Sequence, residues 1–153
     1  MLKDTADVQL KHEKFIKTIC ETGIVYGLEN EEGFATSFSN EYEDEDGEPV
    51  EMICFWSEKA YVNACKIEDW STFNITEITL ADFIENWCIG MHNDELLAGT
   101  DFDSNLFGTE AEPLAIIIQI IEELKSTGKT ITLESYKNIE ELESQVNDSL
   151  KDQ

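Results

Sequence analysis

The sequence predicts an α+β protein: a small mixed, mainly antiparallel sheet packed by helices, with an additional C-terminal helix. Three observations support this fold class. Apolar residues recur at helical spacing near both ends of the chain, short alternating segments bounded by turn residues lie between them, and 41% hydrophobic residues in a chain of 153 suffice for one buried core. We expect residues 1–126 to form a single acidic domain and residues 127–153 to form a helical extension.

The first predicted elements are an amphipathic helix and two strands. Apolar residues recur every three or four positions from Thr5 to Thr22, and Gly23 follows them, as is typical of a helix end. Ile24–Leu28 and Phe34–Phe38 flank a short glycine-containing turn, which predicts two antiparallel strands. The segment Asn40–Pro49 carries closely spaced carboxylates with a glycine and a proline, so we expect a loop there.

A strand followed by a helix is predicted twice in the middle of the chain. Met52–Trp56 has the composition of a strand, and Ser57 is suited to cap the helix that follows. Phe73–Thr79 alternates as a strand does, and apolar residues then recur at helical spacing from Leu80 until Gly90 interrupts the pattern. Two such units favour a sheet with helices packed against it.

The last part of the chain is predicted to be mainly helical. Leu96–Gly99 predicts an edge strand, and turn-forming residues dominate Asp101–Gly108. Pro113–Leu124 is the most hydrophobic segment, apolar on nearly every side, so we expect a deeply buried helix there. Leucine, isoleucine and valine at helical spacing between Leu133 and Leu150 predict a closing amphipathic helix, docked on the domain or on a partner.

Charge is the most unusual property of the chain. The formal net charge is -24 at pH 7, and all ten cationic residues are lysines, with no arginine. Because arginine is the usual two-point ligand for phosphates and carboxylates, we expect no nucleic-acid partner. No segment is apolar enough to predict a signal peptide or a membrane span, so we expect a cytoplasmic protein without a membrane partner.

Long stretches without a lysine predict strongly negative surface. Lysines are absent between Lys17 and Lys59 and again between Lys66 and Lys125. Such a surface favours rapid, salt-sensitive association with a basic protein. The partner would be a toxin that this protein neutralises as an immunity protein, or another basic factor that it regulates. The alternative is that the acidity serves solubility or reflects a salty cytoplasm, with the working surface elsewhere.

The densest acidic run is a candidate binding site. Glu43, Asp44, Glu45 and Asp46 follow one another without a compensating cation. These side chains are candidate contacts for a basic partner, or for a divalent cation. The ordinary alternative is a solvated charged loop, which is common on soluble proteins.

A second acidic segment, from Asp101 to Glu112, supports an alternative function, a domain that binds calcium or a small molecule. Asp101, Asp103, Asn105 and Glu112 occupy the first, third, fifth and twelfth positions of a segment with the ligand spacing of an EF-hand loop. The sixth position, where that loop needs glycine, is Leu106, and the preceding segment predicts a strand instead of a helix. An acidic turn closed by aspartate side chains is therefore the competing interpretation.

Catalytic chemistry has little support in the sequence. Cys88 and His92 are four residues apart, so they would share a face of an unbroken helix, and a thiol beside an imidazole is the minimum for nucleophilic catalysis or a metal pair. A buried cysteine beside a surface histidine is the simpler interpretation, and His12 falls on the polar side of the first helix. We therefore expect no enzyme activity and no cofactor. The aromatic residues expected to form one cluster between helices and sheet are Trp56, Tyr61, Trp70, Phe73 and Trp87.

Several segments together carry a resemblance to a known family. These are VYGLENEEGFA (Val25–Ala35), FWSEKAYVNAC (Phe55–Cys65), the pair Asp69-Trp70, ITLADFIENWCIGM (Ile78–Met91), and DELLAGTDFD before GTEAEP. The chain resembles domain of unknown function 2750, a bacterial family of small acidic proteins, over about Phe15 to Leu124. The resemblance implies no activity, cofactor or active residue. In element order alone, the chain is also similar to the N-terminal domain of the SseB-like proteins, which implies a mixed antiparallel sheet with helices on one side.

Overall fold

The computed structural model describes residues 5–151, with side chains from residue 9 onward. The α+β class is confirmed. The helices are α1 (Thr5–Thr22), α2 (Lys59–Ala64), α3 (Leu80–Asp82), α4 (Ile89–Asn93), α5 (Pro113–Thr127) and α6 (Ile139–Lys151), with a 3-10 turn at Glu68–Trp70 and a π-helical segment at Phe83–Cys88. The strands are β1 (Ile24–Asn30), β2 (Gly33–Phe34), β3 (Thr36–Glu43), β4 (Pro49–Phe55), β5 (Asn74–Thr79), β6 (Leu97–Thr100) and β7 (Thr109–Ala111).

The strands form two sheets. One is antiparallel with the order β2-β1-β5, and the other has the order β3-β4-β6-β7, in which only β4 and β6 run parallel. The mixed, mainly antiparallel character is therefore as predicted. Tyr26 and Trp56 join the sheets, because the backbone N–H of each donates to the carbonyl of the other over 2.8 Å.

One predicted strand is divided between the two sheets. The segment expected as a single strand, Phe34–Phe38, breaks at Ala35, whose N–H donates to Leu28 over 2.8 Å and whose carbonyl accepts from Cys54 over 3.2 Å. Ala35 thus pairs with one sheet through its N–H and with the other through its carbonyl. A sequence pattern of alternating residues continues smoothly across such a transfer, so it carries no signal of the break.

The expected edge strand lies inside its sheet. Strand β6 sits between β4 and β7, and all four of its residues are buried. The prediction of an edge position was wrong, because the short β7 that covers β6 falls in a segment dominated by turn residues. The actual edges, β3 and β7, approach each other, since the Glu110 carboxylate of β7 accepts hydrogen bonds from the Ser39 hydroxyl and, over 2.9 Å, from the Asn40 N–H.

Two apolar clusters form the core. The larger one unites α1, the helical segment from α3 to α4, α5 and α6, and it includes the fully buried Phe83 and Ile117. The smaller one surrounds the fully buried Trp56, whose indole N–H donates to the Phe102 carbonyl over 2.9 Å. As predicted, α5 is deeply buried, since most of its apolar side chains are excluded from solvent.

The helical stretch from Leu80 to Asn93 is continuous and contains a full π-helical segment. Thr79 caps its start by accepting from the Asp82 N–H over 3.3 Å. The stretch passes through Gly90, where the sequence predicted an interruption. Glycine lowers helix stability by only about 1 kcal/mol, which the burial of neighbouring residues such as Met91 offsets.

The C-terminal segment packs back onto the same core. Residues 128–138 lack regular helix, so α6 begins at Ile139, later than the predicted start near Leu133. The Glu85 carboxylate accepts from the backbone N–H groups at positions 134 and 135, over 3.1 and 2.7 Å. Leu142 and Val146 of α6 are buried in the larger cluster. A separate extension at residues 127–153 stays a prediction. None of the helices between residues 5 and 151 has the length and apolarity that crossing a membrane requires.

Candidate functional site

The predicted acidic run lies at the tip of the β3–β4 hairpin and forms one side of a groove. The loop is shorter than expected, because β3 extends to Glu43 and β4 begins at Pro49. The turn that connects α4 to β6 forms the other side. The groove, which we call the hairpin groove, has a volume of about 700 Å³. Its carboxylates are Glu43, Asp44, Glu45, Asp46, Glu51, Asp94 and Glu95.

Asp44 holds the hairpin tip in shape. Its carboxylate accepts from the N–H groups of Asp46 and Glu48 over 2.9 and 3.0 Å, while its own N–H donates to the Glu48 carbonyl over 2.8 Å. Gly47 takes the left-handed conformation, with φ of 79°. Of the predicted residues, Asp44 is therefore committed to the turn, whereas the Glu45 and Asp46 side chains are exposed to solvent.

A second cavity of about 590 Å³ adjoins the hairpin groove and shares Glu43 and Glu95 with it. Its further lining includes Tyr42, His92 and Glu112. Glu112, which the sequence assigned to a calcium loop, thus faces this cavity at the start of α5. Among the described residues, no lysine lines either the cavity or the hairpin groove. The structure therefore gathers carboxylates from distant parts of the chain into one negative surface.

Glu95 occupies an unfavourable backbone position beside this surface. The C-terminus of α4 is closed by hydrogen bonds from Glu95 N–H to the His92 carbonyl, 3.2 Å, and from Leu96 N–H to the Met91 carbonyl, 2.8 Å. This Schellman arrangement places residue 95 at φ of 60°, where glycine is preferred. An L residue there costs roughly 1–2 kcal/mol relative to the right-handed conformation. The unfavourable backbone keeps a carboxylate in the groove.

Asp101, the first predicted calcium ligand, is buried and serves another partner. Only 2% of its surface is exposed, and its carboxylate accepts from both the N–H and the hydroxyl of Ser57 over 2.8 Å. Ser57, expected to cap α2 directly, instead ties the end of β4 to the end of β6 through this aspartate. Burial raises the pKa of Asp101, and the hydrogen bonds from Ser57 oppose that shift.

The next predicted ligands form a tight turn. Asp103 accepts from the N–H groups of Asn105 and Phe107 over 2.9 and 3.1 Å, and its own N–H donates to the Phe107 carbonyl over 2.8 Å. This is the competing interpretation, an acidic turn closed by an aspartate side chain. Across residues 5–151, no group of three or more histidine, cysteine or acidic side chains is arranged to hold a metal ion. Calcium binding here stays a prediction without geometric support.

His12 was assigned to the polar face of α1, but the structure buries it. It is 8% exposed, with Nδ1 3.0 Å from the Thr100 hydroxyl and Nε2 2.7 Å from the Gln119 side-chain oxygen. Because the Gln119 oxygen only accepts, Nε2 carries the proton and Nδ1 accepts from Thr100. Burial lowers the pKa of His12, which favours this neutral form. Its partners lie far along the chain, so helical periodicity gave no signal of this contact.

The remaining candidates separate in space. Cys88 is completely buried and burial raises its pKa, whereas His92 lines the cavity beside the hairpin groove. The expected single aromatic cluster is divided: Trp56 packs edge to face on Trp70 with ring centroids 5.9 Å apart, but Trp87 packs on Phe34 at 4.2 Å in the other part of the core. These rings therefore act mainly as packing groups.

Comparison with known proteins gives one result. The searches of the curated proteins and of the solved structures found no match. A family model described as "Protein of unknown function (DUF2750)" matches residues 12–120. This range holds both sheets, the hairpin groove and about the first half of α5, and it ends before the C-terminal segment that packs onto the core. Since the match covers well over half of the chain, the protein belongs to the DUF2750 family.

Proposed function

We propose that this protein is a non-enzymatic, cytoplasmic binding protein whose hairpin groove engages a basic protein. The observation that carries the proposal is that two acidic segments, the hairpin tip and the α4–β6 turn, line the same groove. Among the described residues, no lysine lines this groove. The two segments are distant in the sequence, because residues 47–93 lie between them. A solvated acidic loop requires no such second segment.

The physics of such a groove favours fast and salt-sensitive binding. Like charges held close together repel, and a cationic side chain that enters the groove relieves that repulsion for several carboxylates at once. Exposed charges are screened beyond roughly 8 Å at physiological ionic strength, so the effect is limited to partners that reach the surface. Within that distance, the attraction raises the association rate more than it raises the final affinity.

A basic toxin is one concrete partner. A nuclease toxin carries a positive groove for its substrate, and an acidic protein that covers this groove blocks it; the protein would then be an immunity protein. Another basic factor that is regulated by occlusion fits the same surface. The four buried, free cysteines accord with a reducing compartment such as the cytoplasm.

Two charge-neutralising variants distinguish binding by the hairpin groove from attraction to the overall net charge. The groove variant combines Glu45→Gln, Asp46→Asn and Glu51→Gln, and the control variant combines Glu31→Gln, Glu32→Gln and Glu122→Gln; all these acids are exposed. Both variants lose the same charge. Each protein is immobilised and exposed to the basic proteins of a native extract in low salt and then in moderate salt, and the captured proteins are quantified by mass spectrometry.

We expect a partner that the wild type and the control retain and that the groove variant binds about tenfold less. Equal losses in the groove variant and the control would mean that only the overall charge acts, which would reject the groove. The absence of any specific partner at both salt concentrations would reject the binding proposal itself. Purified partner and wild type then give a dissociation constant, whose salt dependence should be steep.

A further inference from the structure

A second groove lies along the outer edge of β3, away from the hairpin tip. It has a volume of about 250 Å³ and lies between β3, the segment around the 3-10 turn and the turn closed by Asp103; we call it the edge groove. Three large apolar side chains around it face solvent: Phe38 is 60% exposed, Ile67 46% and Leu106 41%. Isolated exposed apolar residues are ordinary, but three around one groove form a surface suited to a partner.

The backbone of β3 offers hydrogen bonds to this groove. β3 is an edge strand, and its pairing with β4 sets Thr36 opposite Ile53 and Ser37 opposite Met52. Since Cys54 N–H donates to the Ala35 carbonyl, Ala35 and Ser37 are the residues whose polar groups face β4. The N–H and C=O groups of Thr36 and Phe38 therefore point outward, where no other strand of the described chain pairs with them.

Two residues of the edge groove have an unfavourable backbone. Glu68 has φ of 52° and Leu106 has φ of 64°, and glycine is the residue that this region favours. Leu106 occupies the position that Gly47 occupies in the hairpin tip, where a Cβ would meet open space. The chain thus tolerates backbone strain at a site where a leucine side chain reaches the groove. Such outliers cluster at functional sites, and Leu106 differs from the left-handed Asp101, which is buried, in that its side chain is 41% exposed at the groove.

The charge around the groove indicates the kind of partner. Its lining contains the carboxylates of Glu68 and Asp69 and no lysine of the described chain. Further along the same strand, Glu41 and Glu43 add negative charge. A second copy of this chain would bring its own acidic β3 edge into contact, and the formal charge of -24 on each copy opposes that pairing. A cationic occupant is complementary.

We propose that the edge groove binds an extended segment of a partner protein in which apolar residues alternate with lysine or arginine. The segment adds to β3 as a further strand, hydrogen-bonded to Thr36 and Phe38. Because successive side chains of a strand point to opposite faces, one set packs on Phe38, Ile67 and Leu106 and the other carries the charge toward Glu68 and Asp69. This surface is distinct from the hairpin groove, and binding at the edge groove does not require that the hairpin groove binds a partner.

A designed peptide tests strand addition directly. The probe is a fluorescein-labelled peptide of alternating valine and lysine, and the matched peptide has the same sequence with N-methyl groups on alternate residues, which removes the donors that a strand needs. Fluorescence polarisation at physiological salt measures binding to the full chain. We expect saturable binding of the probe that is about tenfold tighter than binding of the N-methylated peptide.

Variants separate the apolar contact from general attraction. Leu106→Asn should weaken probe binding about tenfold without changing the charge, whereas Leu10→Asn, at a leucine that is 62% exposed on α1, should leave it unchanged. Leu106→Gly relieves the backbone and keeps the charge, so it tests the side chain even if Leu106→Asn folds poorly; it should also weaken binding. A variant with only Glu45→Gln and Asp46→Asn should bind the probe within about twofold of the wild type, because neither residue lines the edge groove.

Three results would overturn the proposal. The first is no saturable binding of the probe, and the second is equal binding of the N-methylated peptide, which would reduce the interaction to charge attraction. The third is a concentration-dependent dimer that Phe38→Glu abolishes, since a second copy would then be the occupant. Light scattering over a range of protein concentrations detects that dimer. A positive probe result with no partner in the hairpin-groove experiment would support this inference and reject the other proposal.

Discussion

Two turns of this protein share one hydrogen-bond pattern and a left-handed fourth residue, but the residue at that fourth position differs. In residues 44–48, which we call the Asp44 turn, and in residues 103–107, the Asp103 turn, the first residue accepts from the third and fifth N–H groups through its carboxylate. In both turns, the N–H of the first residue also donates to the carbonyl of the fifth over 2.8 Å. The fourth residue is left-handed in each, but it is Gly47 in one turn and Leu106 in the other.

Two helix ends show the same contrast. The C-terminus of α5 is closed by Gly128 N–H to the Lys125 carbonyl and by Lys129 N–H to the Leu124 carbonyl, with Gly128 at φ of 69°. The corresponding bonds close α4, but there the left-handed residue is Glu95. The turn and the helix end therefore each occur once with glycine, which favours the left-handed conformation, and once with a residue whose Cβ disfavours it.

The location of the four positions explains the contrast. A Cβ at Gly47 or at Gly128 would meet no atom within 4 Å, so glycine is present there for its backbone alone. Leu106 lines the edge groove, and Glu95 lines the hairpin groove. The unfavourable residues are thus the ones whose side chains reach a candidate binding surface. Strain alone does not mark a binding surface, because Asp101 is also left-handed, with φ of 49°, and its buried carboxylate holds Ser57. At Leu106 and Glu95 the strain coincides with a side chain that lines a groove.

Removing the aspartate of each turn should give the largest effect. Asp103→Ala should lower the free energy of unfolding by about 2 kcal/mol, because it leaves two turn N–H groups without their charged acceptor beside a left-handed leucine. Asp44→Ala should cost only about 1 kcal/mol, since losing this charge also relieves repulsion from Glu43, Glu45 and Asp46. Urea unfolding followed by tryptophan fluorescence measures both. Equal costs would show that neither repulsion nor strain distinguishes the turns.

Exchanging the left-handed residues should give opposite, smaller effects. Gly47→Ala should destabilise the protein by about 1 kcal/mol, because an alanine at φ of 79° is strained and the new Cβ gains no contact. Leu106→Gly should be stabilising by up to about 1 kcal/mol, as relief of strain exceeds the added entropy of the unfolded chain. Thermal and urea unfolding report both changes. A clear loss of stability in Leu106→Gly would mean that this leucine serves the fold.

The smallest effect at neutral pH is expected two residues before the Asp103 turn. Burial raises the pKa of Asp101 above its ordinary value of 3.8, so the folded protein holds that proton more tightly than the unfolded chain does. The stability of the wild type relative to Asp101→Asn should therefore rise as the pH falls through the raised pKa, and level off below 3.8. At pH 7 the variant should differ by less than about 1 kcal/mol.

The comparison with Asp101→Asn removes the contribution of the other carboxylates, which titrate in both proteins. Unfolding free energies are measured in steps from pH 7 down to the lowest pH at which both proteins fold. A difference that stays constant with pH, or that falls as the pH falls, would show that the Ser57 hydrogen bonds outweigh burial at this carboxylate.

The sequence predicted the elements that periodicity controls. The helices α1 and α5 lie where the apolar pattern places them, and the class of the sheet is as expected. Local chemistry also predicted the Asp103 turn, because an aspartate followed by turn residues closes its own backbone. The candidate hairpin site was only half predicted. Its run of acids is visible in the sequence, but the arrival of Asp94 and Glu95 depends on how the helical segment before β6 docks.

Features that depend on distant contacts were missed for a common reason. His12 is polar and sits on a helix whose apolar face is evident, so its contacts with Thr100 and Gln119 follow only from the packing of three separate elements. The break at Ala35 and the central position of β6 depend likewise on which strands pair. Left-handed backbone at Glu95 and Leu106 has no local signal, since neither residue prefers it.

The reactivity of the four buried, free cysteines can report how often different parts of the protein open. Burial raises the pKa of Cys20 and Cys54 to about 12, and that of Cys65 and Cys88 is raised as well. The thiolate is the nucleophile that attacks an alkylating reagent, so each buried cysteine reacts mainly when the surrounding structure opens and admits the reagent. Cys65 lies under the edge groove, and Cys88 lies in the larger core. The ratio of their labelling rates therefore measures local breathing at one surface against unfolding of the whole.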